Sequence, residues 1–166
     1  MSQKEAFEIC ITPHLSAAYN LARWLTGKNT DAEDVLQESV LRAFRFFKDL
    51  QKEDVRPWLL QIVRNTCYTW LKKNRNFFEL SEDPDDDQSD LNPEIHLLRK
   101  ISVEELRAAL NELSPDLREI LILREIEECS YKEISQIIEI NEGTVMSRLS
   151  RARNKLRQYL EKAGGL

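Results

Sequence analysis

Two clusters of basic residues lie in a chain that is acidic overall. The 166 residues carry a formal net charge of -5 at pH 7, yet the segment from Gly143 to Tyr159 contains five basic residues and no acid. Residues 56–75 also contain five basic residues and no acid, and aromatic residues are interleaved with them. Cationic side chains bind phosphate groups, and aromatic rings stack on exposed bases. Both clusters therefore have the chemistry of a nucleic-acid contact.

The C-terminal cluster belongs to a predicted helix-turn-helix. Two pairs of residues mark helix starts, Ser114 with Pro115 and the capping box of Ser130 with Glu133. The apolar residues that follow them at helical spacing are Leu117, Ile120, Leu121, Ile134, Ile137 and Ile138. A short turn then leads to the last helix, as a helix-turn-helix requires.

One apolar stripe decides which side chains of the last helix face outward. The stripe consists of Val145, Leu149, Ala152, Leu156 and Leu160. This spacing predicts an outer face of Met146, Ser147, Ser150, Arg151, Arg153 and Asn154. Such a helix fits the major groove of DNA, where arginines meet phosphates and base edges. A charged surface helix in a bundle is the alternative.

The N-terminal cluster lies on the third of three predicted helices. The first helix spans residues 3–26, with a disturbance at Pro13 and an end at Gly27. The second begins with a capping box of Thr30 and Glu33. Its apolar face is predicted to be Leu36, Val40, Phe44 and Phe47, and its outer face Asp34, Gln37, Glu38 and Arg42.

The third helix places its basic residues on the face opposite its apolar residues. The inward residues are predicted to be Trp58, Leu59, Ile62, Val63 and Trp70, and the outward ones Arg64, Tyr68, Lys72 and Arg75. An aromatic and basic face suits a groove for single-stranded nucleic acid. Taken alone, these residues favour the alternative, a solvated basic face with Tyr68 packing at its edge.

The elements that position both clusters are helical throughout. Apolar spacings of three and four residues recur, and no stretch alternates like a strand, so the fold class is all-α. Residues 79–94 hold eight acids and two prolines and no base, which predicts a solvated linker. We expect an N-terminal domain of residues 1–78, an acidic linker of residues 79–96 and a C-terminal domain of residues 97–166.

The sequence offers little support for disulfide bonds, metal binding or catalysis. The three cysteines are far apart and form no Cys-x-x-Cys pair, which suits free thiols in a reducing compartment. Cys10 and His14 are four residues apart, but two ligands do not make a metal site and His96 lies near the linker. The chain has no phosphate-binding loop and no nucleophile with a base. We therefore expect no enzyme, no metal and no cofactor, and a cytoplasmic protein without a membrane span.

Four segments in order resemble the successive regions of extracytoplasmic-function (ECF) sigma factors, group 4 of the bacterial sigma-70 family. The segments are TDAEDVLQESVLRAFRFF, RPWLLQIVRNTCYTWLKKNR, LSPDLREILILREIEECSYKEIS and GTVMSRLSRARNKLR. The resemblance implies a subunit that binds core RNA polymerase, recognises the minus-35 element of a promoter and melts the minus-10 element. It also implies partners: the β′ clamp helices, the β flap, promoter DNA and an anti-sigma factor, with no small-molecule substrate.

The resemblance assigns roles to individual positions. It implies polymerase contacts for Asp34, Gln37, Glu38 and Arg42. It implies minus-10 contacts for Leu50, Arg64, Asn65, Tyr68 and Lys72. It implies minus-35 contacts for Met146, Ser147, Arg148, Ser150, Arg151 and Arg153.

Two positions depart from the family pattern. Met146 stands where a basic residue is frequent in the family, so the resemblance implies no arginine-to-guanine contact here, and an apolar contact with a thymine methyl is an alternative. Glu139 stands in the turn where glycine is frequent, which alters the turn or places a carboxylate near DNA.

Two other function classes are compatible with the residues. One is a helix-turn-helix regulator with an N-terminal protein-interaction domain, and the other is a helical adaptor that binds no DNA. The basic and aromatic third helix favours the sigma factor, because a plain regulator has no use for a single-strand groove. Phe46, Phe77 and Phe78 are apolar residues that predict a surface for an inhibitory protein partner, or else packing within the N-terminal domain.

Overall fold

The computed structural model describes residues 1–50, 54–74 and 100–163. The predicted linker, residues 79–96, lies outside the described residues, and so do Arg75, Phe77, Phe78 and His96. The described residues contain helices and no strand, so the all-α prediction is confirmed. Among them, no helix is both long and apolar enough to cross a lipid bilayer.

Eight α-helices follow one another along the described chain. They are α1 (Gln3–Ile11), α2 (Leu15–Thr26), α3 (Asn29–Phe46), α4 (Val55–Asn74), α5 (Val103–Glu112), α6 (Pro115–Leu121), α7 (Tyr131–Ile138) and α8 (Glu142–Ala163). Short 3-10 turns at Thr12–His14 and Phe47–Asp49 follow α1 and α3, and a π-helical turn at Ile122–Ile126 extends α6.

As predicted, Pro13 interrupts the first helical segment and Gly27 ends it. Pro13 lies in the 3-10 turn between α1 and α2. Gly27 ends α2 with a φ of 93°, a left-handed conformation that glycine adopts without steric cost, and its N–H donates to the Arg23 carbonyl.

The predicted capping box of Thr30 and Glu33 is wrong. Helix α3 already begins at Asn29, with Lys28 at its N-cap and no side-chain capping bond. The Asn29 Oδ1 atom accepts hydrogen bonds from the Tyr19 hydroxyl, at 3.1 Å, and from Arg23 Nε, at 2.6 Å. These contacts with α2 hold Asn29 in the first turn, so the helix begins ahead of its local start signal.

The inner face of α3 is also offset from the prediction. Its buried residues are Ala32, Val35, Ser39 and Ala43, whereas Leu36, Val40 and Phe47 are half-buried. Phe44 is 37% exposed and packs edge to face against Phe7, with ring centroids 5.1 Å apart. Small residues at the centre of this face let α3 approach α2 and α4 closely.

The C-terminal helices form the predicted helix-turn-helix. Ser130 and Glu133 make both bonds of a capping box at the start of α7, and Pro115 is the first residue of α6. Ser114 is the N-cap residue of α6 but makes no side-chain capping bond; its hydroxyl donates to Asp116 Oδ1 at 2.7 Å. The predicted inward residues of α6, α7 and α8 are buried, except that Leu156 is half-buried.

The two helical halves pack against each other. In the N-terminal half α2, α3 and α4 are in mutual contact, and in the C-terminal half α5, α6 and α7 pack on α8. Helix α4 also packs on α7, and α2 on α6. One apolar core includes residues of both halves.

Candidate nucleic-acid interface

Helix α8 presents part of its predicted outer face to solvent. Met146 is 54% exposed, and Ser147, Ser150 and Arg153 are exposed as well. The Asn141 side chain accepts a hydrogen bond from the Thr144 N–H at 2.7 Å, which fixes the first turn of the helix. Glu139, in the preceding turn, has a left-handed φ of 58°. Glycine adopts this conformation more readily than other residues do.

Arg151 is not on the exposed face, and this prediction is corrected. Its relative exposure is 9%, so it is a buried residue of α8. At 3.6 residues per turn, Arg148 and Arg151 fall on the same side of the apolar stripe, one turn apart. Arg148 is half-buried, and its charge acts on Glu119 of α6. The apolar stripe marks the centre of the buried face of α8, but the buried face also includes Arg151, which lies outside the stripe.

Arg153 is exposed and forms an ion pair within the C-terminal half. Its Nη2 atom lies 2.5 Å from Glu125 Oε1, and its Nε lies 2.9 Å from the same oxygen. Both side chains are about half exposed, at 49% and 52%. A pair this exposed contributes little to stability and is easily exchanged for a phosphate contact.

Part of the predicted single-strand face of α4 is engaged by Glu119 of α6. Arg64 Nε donates to Glu119 Oε2 at 3.0 Å, and Arg64 Nη2 donates to Glu119 Oε1 at 3.1 Å. The Arg64 guanidinium also lies 4.0 Å from the centroid of the Tyr68 ring. The Glu119 side chain is fully buried and that of Arg64 is 21% exposed. Asn65 and Lys72 stay exposed beside this contact.

Burial changes the acid–base properties of these three groups. It raises the pKa of the Glu119 carboxyl, against the opposing effect of the Arg64 hydrogen bonds and charge. It also raises the pKa of the Tyr68 hydroxyl. Burial alone would lower the pKa of Arg64, but the hydrogen bonds and charge of Glu119 raise it. Arg64 is therefore always a cation, and Tyr68 is neutral at physiological pH.

A second set of polar contacts joins the two halves beside this pair. Arg56 donates two hydrogen bonds to the Glu133 carboxylate, at 3.1 and 2.7 Å, and one to the Glu127 carbonyl at 3.2 Å. Asn20 Nδ2 donates to Glu127 Oε2 at 3.1 Å. The Gln61 amide donates to the Glu139 carboxylate, which lies against α4 in this structure.

The predicted polymerase-binding face of α3 is exposed. Asp34, Gln37 and Glu38 are exposed, and the half-buried Arg42 lies 3.6 Å from Glu38 and 3.5 Å from the Thr66 hydroxyl. The helix also exposes Leu41, at 62%. Phe46, at 56%, is exposed one turn further on. Sequence reasoning missed Leu41, although its spacing from Asp34, Gln37 and Glu38 places it on the same face.

Leu50 is half-buried at the end of the 3-10 turn that follows α3. It lines an open groove together with Met1, Ala6, Ile9, Cys10 and Phe47. Residues 51–53, which belong to the same predicted loop, lie outside the described residues.

The cysteines and the two possible metal ligands form no further site. All three cysteines are free, and burial raises the pKa of Cys67 and, to about 11, that of Cys129. Within the described ranges, no group of three or more potential ligands surrounds Cys10 and His14 or any other position.

Comparison with known proteins identifies both halves. Residues 10–77 match the family model Sigma-70 region 2, and residues 103–156 match Sigma-70, region 4. The chain is 30% identical over 147 residues to the ECF RNA polymerase sigma factor SigM of Bacillus subtilis, covering 87% of this chain and 88% of SigM. The chain belongs to the ECF sigma factors.

Other relatives agree with this assignment. The ECF sigma factor SigE of Mycolicibacterium smegmatis is 34% identical over 157 residues, which cover 92% of this chain and 60% of SigE. The sigma factor RpoE of Bartonella quintana, solved with the anti-sigma factor NepR, superposes with a TM-score of 0.72 at 27% identity. That superposition covers 95% of this chain and 98% of RpoE. A regulator with an unrelated N-terminal domain is not favoured, because region 2 accounts for most of the N-terminal half.

Sequence reasoning also missed the acidic residues that join the two halves. Glu119, Glu127, Glu133 and Glu139 all belong to the C-terminal half and all contact side chains of the N-terminal half. The signal that pointed to them was the excess of acid in residues 119–139, opposite the purely basic segment 56–75. Charge complementarity of this kind predicts a contact between the two segments.

Proposed function

We propose that this ECF sigma factor binds core RNA polymerase, directs it to specific promoters and initiates transcription. The observation that supports this most is the presence of region 2 and region 4 in one chain, each with a basic helix. We assign region 2 to residues 1–78 and region 4 to residues 97–166, joined by the linker of residues 79–96. The protein acts as a binding subunit in the cytoplasm, and the catalytic step belongs to the polymerase.

In the proposed promoter complex, α8 recognises the minus-35 element. Met146, Ser147, Ser150 and Arg153 are exposed on this helix, and we propose that they meet base edges or phosphates in the major groove. Arg148 is half-buried and contacts DNA only after it leaves the neighbourhood of Glu119. Arg151 supports the helix from its buried position.

The N-terminal half acts on the minus-10 element. Arg64, Asn65, Tyr68 and Lys72 form a face on α4 in which cations follow the backbone of the strand and the ring stacks on a base. Leu50 belongs to the pocket that holds an extruded base, where pocket contacts offset the free energy of unstacking.

Helix α3 supplies the polymerase contact. The exposed Asp34, Gln37 and Glu38, together with Arg42, are proposed to bind the β′ clamp helices, and region 4 is proposed to bind the β flap. The exposed Leu41 adds apolar area to this polar face, a combination found at the centre of protein interfaces. An anti-sigma factor is the expected inhibitory partner, by analogy with the RpoE–NepR complex.

Transcription with purified components tests the proposal. Core polymerase from the native host is combined with this chain and with a library of genomic promoter fragments, and the transcripts are sequenced. We expect specific start sites that depend on both core and chain. Core polymerase with an unrelated sigma factor is the control. No chain-dependent transcript from any promoter would contradict the proposed function.

A further inference from the structure

Glu125 and Arg153 form an ion pair beside the outer face of α8. Glu125 belongs to the π-helical turn that extends α6, and Arg153 lies 28 positions further along the chain. Arg153 Nε and Nη2 both donate to one carboxylate oxygen of Glu125, at 2.9 and 2.5 Å. Both residues belong to the C-terminal half, so the pair does not depend on how the two halves pack. It involves the helix that is proposed to read the minus-35 element.

Arg153 lies in a row of exposed residues on α8. Positions 146, 150 and 153 are spaced four and three residues apart, so Met146, Ser150 and Arg153 follow one another on one side of the helix. All three residues are exposed. The guanidinium that Glu125 holds is therefore part of the surface proposed to face the major groove.

The contact with Glu125 occupies one edge of the Arg153 guanidinium and leaves the other edge to a further acceptor. A guanidinium has five N–H donors in a fixed plane. Glu125 takes the edge formed by Nε and Nη2. The other edge, formed by Nη1 and the outer N–H of Nη2, offers two parallel donors. Such a pair of donors binds O6 and N7 of a guanine, or two oxygens of a phosphate.

The charge of Glu125 distinguishes between these two acceptors. A phosphate on the second edge of the guanidinium brings its negative charge close to the Glu125 carboxylate, and like charges repel. A phosphate must therefore displace Glu125, whereas a guanine carries no net charge and binds with the ion pair intact. The carboxylate thus biases Arg153 toward a base and away from the DNA backbone.

The turn that carries Glu125 is held by hydrogen bonds of its own. The Glu127 N–H donates to the Ile122 carbonyl at 3.0 Å, which is the bond of a π-helical turn. The Arg124 side chain donates to the Cys129 carbonyl at 2.9 Å. A side chain positions another one well only when its own backbone is fixed, and π-helical turns are frequent at functional sites.

We propose that Glu125 is a positioning residue for promoter recognition: it holds the Arg153 guanidinium by one edge, so that the other edge reads a guanine in the minus-35 element. Arg153 touches the base, and Glu125 acts only through Arg153. The inference rests on the proposed minus-35 role of α8. It narrows the proposed contact of Arg153 from a base or a phosphate to a base.

Three variants in complex with core polymerase test the inference. They are Arg153→Ala, Glu125→Ala and the double variant that carries both changes. An ion pair between two half-exposed side chains contributes little to stability, so all three are expected to fold as the unmodified chain does. The matched control is Glu112→Ala, which removes the same charge from an exposed position at the end of α5.

Selection from a randomised minus-35 pool by each holoenzyme measures the preference at every base pair. We expect Arg153→Ala to reduce the preference for guanine at one position by about tenfold, the effect of losing one bidentate contact. Glu125→Ala is expected to reduce the preference at the same position by about threefold or more, and the double variant to behave as Arg153→Ala does alone. Glu112→Ala should select the same sequences as the unmodified chain.

The salt dependence of holoenzyme binding to the selected promoter gives a readout that a merely structural role would not move. Each phosphate contact adds about 0.9 to the steepness of log K against the logarithm of the salt concentration. Arg153→Ala is expected to leave the slope unchanged, because Arg153 contacts a base. Glu125→Ala is expected to steepen the slope by about 0.9, because the released arginine moves to a phosphate.

Three results would each overturn the inference. One is a preference that Glu125→Ala leaves unchanged or weakens evenly for all sequences. The others are a shallower salt slope in Arg153→Ala, and a loss of preference in the double variant that exceeds the loss in Arg153→Ala. Failure of the proposed function is distinguishable, because the holoenzyme with the unmodified chain would then select no minus-35 sequence at all.

Discussion

Glu119 has an environment that its local sequence does not suggest. It lies in α6, on a segment whose apolar spacing indicates a buried helix, and its side chain is fully buried against Arg64. An isolated buried carboxylate is costly, so its position is understandable only with the guanidinium of a residue 55 positions away. Met146 is the opposite case, since it is an apolar residue with 54% of its surface exposed on the helix proposed to read DNA.

Met146→Arg is expected to shift the preferred minus-35 sequence toward guanine at one position. An arginine can donate two hydrogen bonds to guanine, whereas methionine offers only an apolar contact. Selection from a randomised minus-35 pool by the holoenzyme measures the shift. Gln158→Arg is the control, because it adds the same charge to an exposed position further along α8. If both variants keep the original preference, Met146 does not face the bases.

Glu38→Lys is expected to weaken binding to core polymerase by about tenfold or more, equivalent to about 1.4 kcal/mol. The change reverses the charge at the centre of the exposed α3 face and removes the ion pair with Arg42. Competition with a labelled sigma factor for purified core measures the affinity. Glu8→Lys, at an exposed position of α1, carries the same charge change and should bind normally. Equal affinities for the two variants would exclude Glu38 from the polymerase contact.

The helices show which of their features local sequence signals predict and which depend on contacts with other helices. The capping box of Ser130 and Glu133 was predictable, since its two bonds join residues three positions apart. The box predicted at Thr30 is not formed, because contacts of Asn29 with α2 accompany a helix start two residues earlier. Arg151 illustrates the same limit, since its burial depends on neighbours that the spacing within α8 does not reveal.

The apolar stripe of α8 should dominate the stability of the helix-turn-helix. Leu149 is 1% exposed, and Leu149→Ala is expected to lower the free energy of unfolding by about 2 to 5 kcal/mol. Met146→Ala, on the exposed face of the same helix, should change it by less than about 0.5 kcal/mol. Chemical denaturation followed by circular dichroism measures both variants. Similar losses for the two would mean that the stripe does not face the core.

At the scale of the whole molecule, the sequence predicted the order and class of the two halves and not their packing. The resemblance of four segments identified region 2 and region 4, and the comparisons confirm both. The contact between the halves depends on pairs such as Arg56 with Glu133, which are 77 residues apart. Each member of such a pair looks like an ordinary surface charge when it is considered alone. Local sequence patterns therefore did not predict which charged side chains of the two halves pair with each other.

The pH dependence of stability should report on one of these pairs. Desolvation opposes the shift, but the hydrogen bonds from Arg56 and Ser130 lower the pKa of Glu133 below its ordinary value of 4.5. The resulting stabilisation is fully present above about pH 4.5 and is lost as the pH falls through the lowered pKa of the folded state. We expect unmodified protein to melt at a higher temperature than Glu133→Gln at pH 7, with the difference shrinking below pH 4.5. A difference that grows on acidification would contradict this assignment.

The opening of promoter DNA tests the central claim most directly, because a helix-turn-helix regulator binds duplex DNA without melting it. Permanganate oxidises unpaired thymines, so its reaction with promoter DNA maps the melted segment. We expect reactive thymines around the minus-10 element only when core polymerase and this chain are both present. The Tyr68→Ala variant should give fewer reactive thymines than the unmodified chain. Specific promoter binding with no reactive thymines, or equal reactivity with and without the chain, would contradict it.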